Sequence, residues 1–200
     1  VIYNPDGSMK EYYYPKLANH CFINSAIIAD SPESFLWAGI GDALSKVCEA
    51  IFSSKDDQLS HTPMMGVQLS QICTDPLVEY GAKALEDIRA KRTSYELDQV
   101  TLDIIISTGI VSNMTTTPSD YYYNSTLAHC VYYGATITPG GHKHLHGEVV
   151  SLGVLCLLEY MKDEKELERL MAFNASIGLP ICFDDIQIQE SEFPAMADKF

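Results

Sequence analysis

Apolar positions recur at helical spacing through most of this chain. From Ser31 the run SPESFLWAGIGDALSKVCEAIFS opens on Ser-Pro-Glu, which suits a helix start, and continues with apolar residues three and four apart. Thr62 and Pro63 form a cap and first-turn pair for a helix through MMGVQLSQIC, and Pro76 is expected to break or kink it before LVEYGAKALEDIRAK. Ser94 can cap ELDQVTLDIIISTGIVSNM, a stretch apolar on nearly every side, which predicts a central helix. TTTPSD reads as a loop, YYYNSTLAHCVYYGATI as the next helix and TPGG as a turn. VVSLGVLCLLEYM has the length and apolar density of a buried helix. The amphipathic DEKELERLMAFNAS then closes at Gly178, with Leu179 and Pro180 as stop signals.

The start of the chain has a different pattern. VIY, the turn signal NPDG, EYYYPK and CFINSAII are short β-branched and aromatic runs between turn residues, and they predict strands at a sheet edge. The expected fold class is therefore mainly α: a β segment over residues 1–30 and a helical body of six or seven helices over residues 31–200. A chain that starts at Val1, inside a strand-like run, is expected to be a fragment or an excised domain.

Composition narrows the function classes. Two hundred residues at 46% hydrophobic and 20% charged can bury a substantial core without staples. A net charge of −14 repels nucleic acid and anionic membrane, so neither is expected as a partner. There is no apolar run long enough to span a bilayer and no secretory signal pattern, which leads to a cytoplasmic expectation. The six cysteines are spread singly without CxxC spacing and read as small buried hydrophobes.

The candidate chemistry lies in GHKHLHGEVV, which sets His142, His144 and His146 at alternate positions just before the buried helix, with Glu148 two residues on. Zinc or ferrous iron takes imidazole and carboxylate ligands, usually three from the protein when a catalytic position stays open. Two further polar residues stand in apolar helical company, His129 and Asp42. Each has an ordinary alternative: His129 as a core histidine with one hydrogen bond, Asp42 as a helix cap after Gly41. The histidine cluster could equally be a solvated loop. Glu148 fits a first-turn carboxylate favoured by the helix dipole, with a role behind a metal-bound imidazole as the alternative. A buried carboxylate beside imidazoles is expensive without a cation. If the helices bring Asp42, His129 and His146 together, metal ligation is the cheaper explanation.

In that order along the chain, GIGDALSKVCEA, LAHCVYYG, HLHGEVVSLG and SIGLP resemble the helical half of the iron-containing alcohol dehydrogenase family, and the glycerol dehydrogenase-like branch within it. The resemblance runs from Val1 to about Pro180. It implies a dehydroquinate synthase-like, iron-type alcohol dehydrogenase fold with Asp42, His129 and His146 as metal ligands. It also implies a divalent metal, zinc ahead of ferrous iron, and NAD(P) carried on an amino-terminal Rossmann-like domain that this chain lacks. Tyr3 would contact the dinucleotide. The implied reaction is oxidation of a small alcohol or polyol, its hydroxyl polarised by the metal, in a homo-oligomer, with this chain alone inactive.

His142 is a candidate relay for the released proton. The sequence departs from the branch at Tyr132, where the family has a second histidine, and at Tyr123 and Asn124, where it has glycines. Both changes fall on the substrate side and put glycerol itself in doubt. Two rival readings are a dehydroquinate synthase-like cyclase, disfavoured because few basic residues lie near the ligands, and a helical metal-binding module without catalysis.

Overall fold

The structure is a computed structural model that describes residues 19–199, together with the backbone of Ile2–Tyr3 and Met9–Glu11. Those two segments, β1 (Ile2–Tyr3) and β2 (Met9–Glu11), pair antiparallel. The helices that follow are α1 (Ser25–Asp30), α2 (Glu33–Ala43), α3 (Ser45–Ser54), α4 (His61–Ser70), α5 (Asp75–Arg89) and α6 (Tyr95–Leu102). A π turn, Asp103–Ser107, leads into α7 (Thr108–Met114), and α8 (Leu127–Ala135) comes after a loop. A 3₁₀ turn, Gly141–Lys143, precedes α9 (His146–Met161), and α10 (Glu164–Ile177) and α11 (Phe193–Ala197) complete the described chain.

The core is built around α9. Its apolar run buries Val149, Val150, Leu152, Val154, Leu157 and Leu158, and α2, α3, α8 and α10 pack against it. Fully burying a side chain of this kind contributes roughly 1.5–3 kcal/mol. A single helix cap contributes about 1 kcal/mol, so packing rather than capping holds α9 in place. Caps fix where helices begin. Ser94 Oγ accepts from the Leu97 N–H at 3.0 Å to start α6, and Glu148 accepts from the Leu145 N–H at 3.0 Å to start α9. Asp163 starts α10 in the same way, and that helix ends on the left-handed Gly178. On α2, Trp37 Nε1 donates to the Ile177 carbonyl at 2.9 Å, tying that helix to the end of α10.

Several local expectations are corrected. CFINSAII forms no strand: residues 21–24 are irregular and Ser25–Asp30 is α1, capped by Asn24, whose side chain accepts from the Ala26 N–H. A local hydrogen bond to the backbone outweighs the β-branched composition there. The long helix expected from Ser31 is interrupted at Leu44, but slightly, since Leu44 keeps helical dihedrals and its N–H donates to Ile40. Ser60 rather than Thr62 precedes the first residue of α4. Pro76 does not break a helix; it lies in the first turn of α5, where no N–H is required. The stretch expected to form one central helix divides into α6, the π turn and α7. It packs on α5 and α4 on one side and leaves Leu102, Ile105 and Ile110 largely exposed on the other. No described helix is long and apolar enough to cross a membrane.

Candidate metal centre

Three helix ends meet at one point. Asp42 is the penultimate residue of α2, His129 lies in the first turn of α8, and His146 is the first residue of α9. The approach of α2 to α9 depends on a pair of glycines. A Cβ on Gly41 would run into the Gly147 carbonyl, and one on Gly147 into the carbonyl of Ala38. Their immediate neighbours are Asp42 and His146, so the same close approach brings carboxylate and imidazole face to face.

Asp42 Oδ1 lies 3.1 Å from His146 Nε2 and 3.5 Å from His129 Nε2. The two rings are 5.3 Å apart between centroids, and the three ligand-type atoms lie within 4.8 Å of one another. Oδ1 is buried and neither imidazole makes an aligned hydrogen bond to it, while the rest of the Asp42 side chain is 43% exposed. Two imidazole nitrogens and a carboxylate oxygen converging without hydrogen bonds suit a divalent cation that prefers N/O ligands. The cap alternative for Asp42 does not hold, because the residue is at the C-terminal end of its helix, where a negative charge gains nothing from the dipole.

The electrostatics follow from this crowding. Burial raises the Asp42 carboxyl, but the contacts with His129 and His146 outweigh it and hold the group well below the usual carboxylate range. Burial lowers His129, and its contacts with Asp42 and Glu49 more than reverse this, lifting it to about 9.

Glu49 had not been singled out in the sequence. It is fully buried on α3, and its Oε2 lies 2.6 Å from His129 Nδ1. Its Oε1 accepts the backbone N–H of Thr126 at 2.7 Å and of His129 at 3.1 Å, at the start of α8. One turn earlier, the buried Lys46 donates from Nζ to Asn124 Oδ1 at 2.7 Å, so α3 also grips the loop before α8. Burial lowers the Lys46 ammonium, and Asp42 and Glu49 act against that. The sequence signal for both was available in the spacing of GIGDALSKVCEA, where Lys46 and Glu49 follow Asp42 at one-turn and two-turn intervals.

The remaining candidates divide. Glu148 caps α9 and also holds His144, whose Nδ1 is 2.8 Å from Oε1, so the first-turn carboxylate is the role observed. His142 is exposed on the 3₁₀ turn and does not join the converging atoms. Tyr132, one turn after His129, sets its ring edgewise on His146 at 4.2 Å between centroids. Tyr121 and Tyr123 stack on each other 5.6 Å apart, and Tyr123 donates to Asp57 at 2.6 Å, which fits packing. Tyr3 lies outside the residues whose side chains are described.

This helical body matches the helical C-terminal domain of solved glycerol dehydrogenase structures. Relatives and structural neighbours that are glycerol dehydrogenases support the glycerol dehydrogenase-like, iron-type alcohol dehydrogenase family. The chain is 29% identical over 192 residues to the glycerol dehydrogenase of Thermotoga maritima, covering 93% of this chain and 50% of that protein. The glycerol dehydrogenase of Escherichia coli is 30% identical over 201 residues, covering 95% and 51%. The crystal structure of a probable glycerol dehydrogenase from Sinorhizobium meliloti superposes with a TM-score of 0.83 at 25% identity, over 98% of this chain and 56% of that one. No family model matches the chain. The chain spans about half the length of the curated relatives it matches.

Proposed function

We propose that this chain is the metal-binding, substrate-binding part of an NAD(P)-linked dehydrogenase that oxidises a small alcohol or polyol. One observation carries the reading: Asp42 Oδ1, His129 Nε2 and His146 Nε2 converge within 4.8 Å without hydrogen bonds among them. Zinc is the preferred ion for two imidazoles and one carboxylate, with ferrous iron second. When bound, a divalent cation supplies Lewis-acid polarisation that lowers the pKa of a substrate hydroxyl.

The chain's own residues supply the rest. With neutral imidazoles, Asp42 is the one anionic ligand, so the centre stays positive and favours an ionised hydroxyl. Tyr132 bounds the space beside His146 and limits what can approach it. His142 accepts the released proton and passes it outward from its exposed turn. The nicotinamide cofactor belongs to a Rossmann-like nucleotide-binding domain of the whole protein, of which residues 1–30 are a β segment, with Tyr3 as a contact to the cofactor. The division at residue 30 between a nucleotide-binding portion and the metal-binding body belongs to the same reading. All six cysteines are unpaired, which supports a reducing, cytoplasmic setting.

Metal content of the wild type beside Asp42→Ala, His129→Ala and His146→Ala tests the centre. Stoichiometric metal in the wild type and its loss in all three variants is the expected result; equal, substoichiometric metal in all four samples would end the proposal. Oxidation of glycerol and related diols by the whole protein, with NAD and NADP compared, tests the reaction.

A further inference from the structure

We infer that Glu49 dictates which ring nitrogen of His129 faces the metal, and that it does so with the same carboxylate that starts α8. The inference rests on the metal-centre reading above.

Glu49 is a fully buried carboxylate with three nitrogens around it: the backbone N–H groups of Thr126 and His129 donate to Oε1, and His129 Nδ1 lies 2.6 Å from Oε2. The two backbone donors belong to the first turn of α8, whose positive dipole end meets the same group. With Oε1 already accepting two backbone N–H groups, Oε2 is placed to accept the third contact, which sets the His129 ring proton on Nδ1. Nε2, on the side of Asp42 Oδ1, is then the nitrogen that yields its proton to an arriving metal and offers it a lone pair. A carboxylate behind a metal-bound imidazole fixes the tautomer and raises ligand basicity in this way.

What is particular here is the sharing. The side chain that selects the tautomer also satisfies the N–H groups that begin the ligand's own helix. Deleting it would disturb both functions, but an isosteric amide separates them. In Glu49→Gln the amide oxygen still accepts from Thr126 and His129, so α8 keeps its start. The amide nitrogen then meets Nδ1 as a donor and drives the ring proton to Nε2, the side that faces the metal. Glu49 is thus a positioning residue for His129.

The test is zinc affinity of the whole protein, by competition with a chromophoric chelator, alongside thermal melting of the metal-free forms. Glu49→Gln is expected to lose zinc affinity by about 10- to 100-fold while melting within a few degrees of the wild type. An affinity within about twofold of the wild type overturns the inference and leaves the metal centre standing. A wild type that binds no zinc overturns the metal centre, and the inference with it.

A second measurement decides the matter even if the variant fails to fold. In the zinc-loaded wild type, nitrogen-15 spectra of His129 are expected to show Nε2 on the metal and a protonated Nδ1. Metal on Nδ1 overturns the inference.

Discussion

Gly41 and Gly147 face each other across α2 and α9 at a separation that no side chain could enter. This contact, more than any polar interaction, sets the distance between Asp42 and His146, which are the residues directly after and directly before the pair.

Adding one methyl group at this contact should therefore damage the site from outside it. Gly147→Ala is expected to cost about 1–3 kcal/mol of stability through overpacking and to weaken metal binding, although no ligand has changed. Gly109→Ala on α7 is the control, because a Cβ there meets nothing within 4 Å. It should leave metal binding alone and raise stability by about 0.5–1 kcal/mol. Melting curves and metal titrations of the two variants check this; equal metal affinities would show that the close approach does not govern the site.

The metal-free protein should lose stability as pH rises from about 6.5 to about 9. His129 has its folded pKa raised to about 9 from 6.5, so its contribution is fully present below 6.5 and lost on passing through 9. Metal binding displaces the proton on the ligating nitrogen, so apparent metal affinity should climb over the same interval. His129→Gln should flatten both profiles. A pH-independent melting temperature for the metal-free wild type across this window would contradict the electrostatics of the centre.

Asp103 should behave in the opposite sense to an ordinary paired carboxylate. It is buried in the π turn, its Oδ2 has no hydrogen-bond partner among the described residues, and burial lifts its pKa to about 7 against a weaker opposing contact from Ser107. A carboxyl raised in the folded state favours folding while protonated, so stability falls as pH climbs from the unfolded value towards 7. Asp103→Asn is expected to stabilise the protein by about 2 kcal/mol at pH 8 and to have much less effect at pH 5. Chemical denaturation at the two pH values would measure it, and an equal effect at both would refute it.

Tyr132 occupies the position where the related branch carries a second histidine, with its ring edge on His146. If the whole protein oxidises polyols, Tyr132→His should change the relative kcat/KM for glycerol and a bulkier, less polar alcohol by roughly tenfold in favour of glycerol, with metal content unchanged. Steady-state kinetics on the two substrates give the answer directly. A parallel change for both would place Tyr132 in packing alone.

The helices that carry ligands were legible because each announces itself separately. The apolar run of α9 begins at a histidine, and Asp42 and His129 stand out as polar residues among apolar neighbours. Their meeting point depends on tertiary packing, and only the order of four motifs pointed to it. Glu49 could be placed on the face of Asp42 by its two-turn spacing, but its role could not be read: glutamate on an amphipathic helix ordinarily marks a solvated face, and nothing in ten residues of sequence shows that nitrogens from the start of α8 will surround it. Ser25–Asp30 misled because side-chain branching favours strand locally while an asparagine cap decides the outcome. Ile105 and Ile110 looked central because a helical wheel assumes unbroken periodicity, and the π turn between α6 and α7 changes the register of the faces.

The hydrogen bond from Trp37 to Ile177 gives the molecule an optical consequence. Trp37 is the single tryptophan of the chain, five residues before Asp42 on the same short helix, with its indole anchored to the last residue of α10. Its emission wavelength and quenching therefore report the seating of the helix that carries the acidic ligand. Ion capture, helix displacement and unfolding can be followed by intrinsic fluorescence without attaching a label.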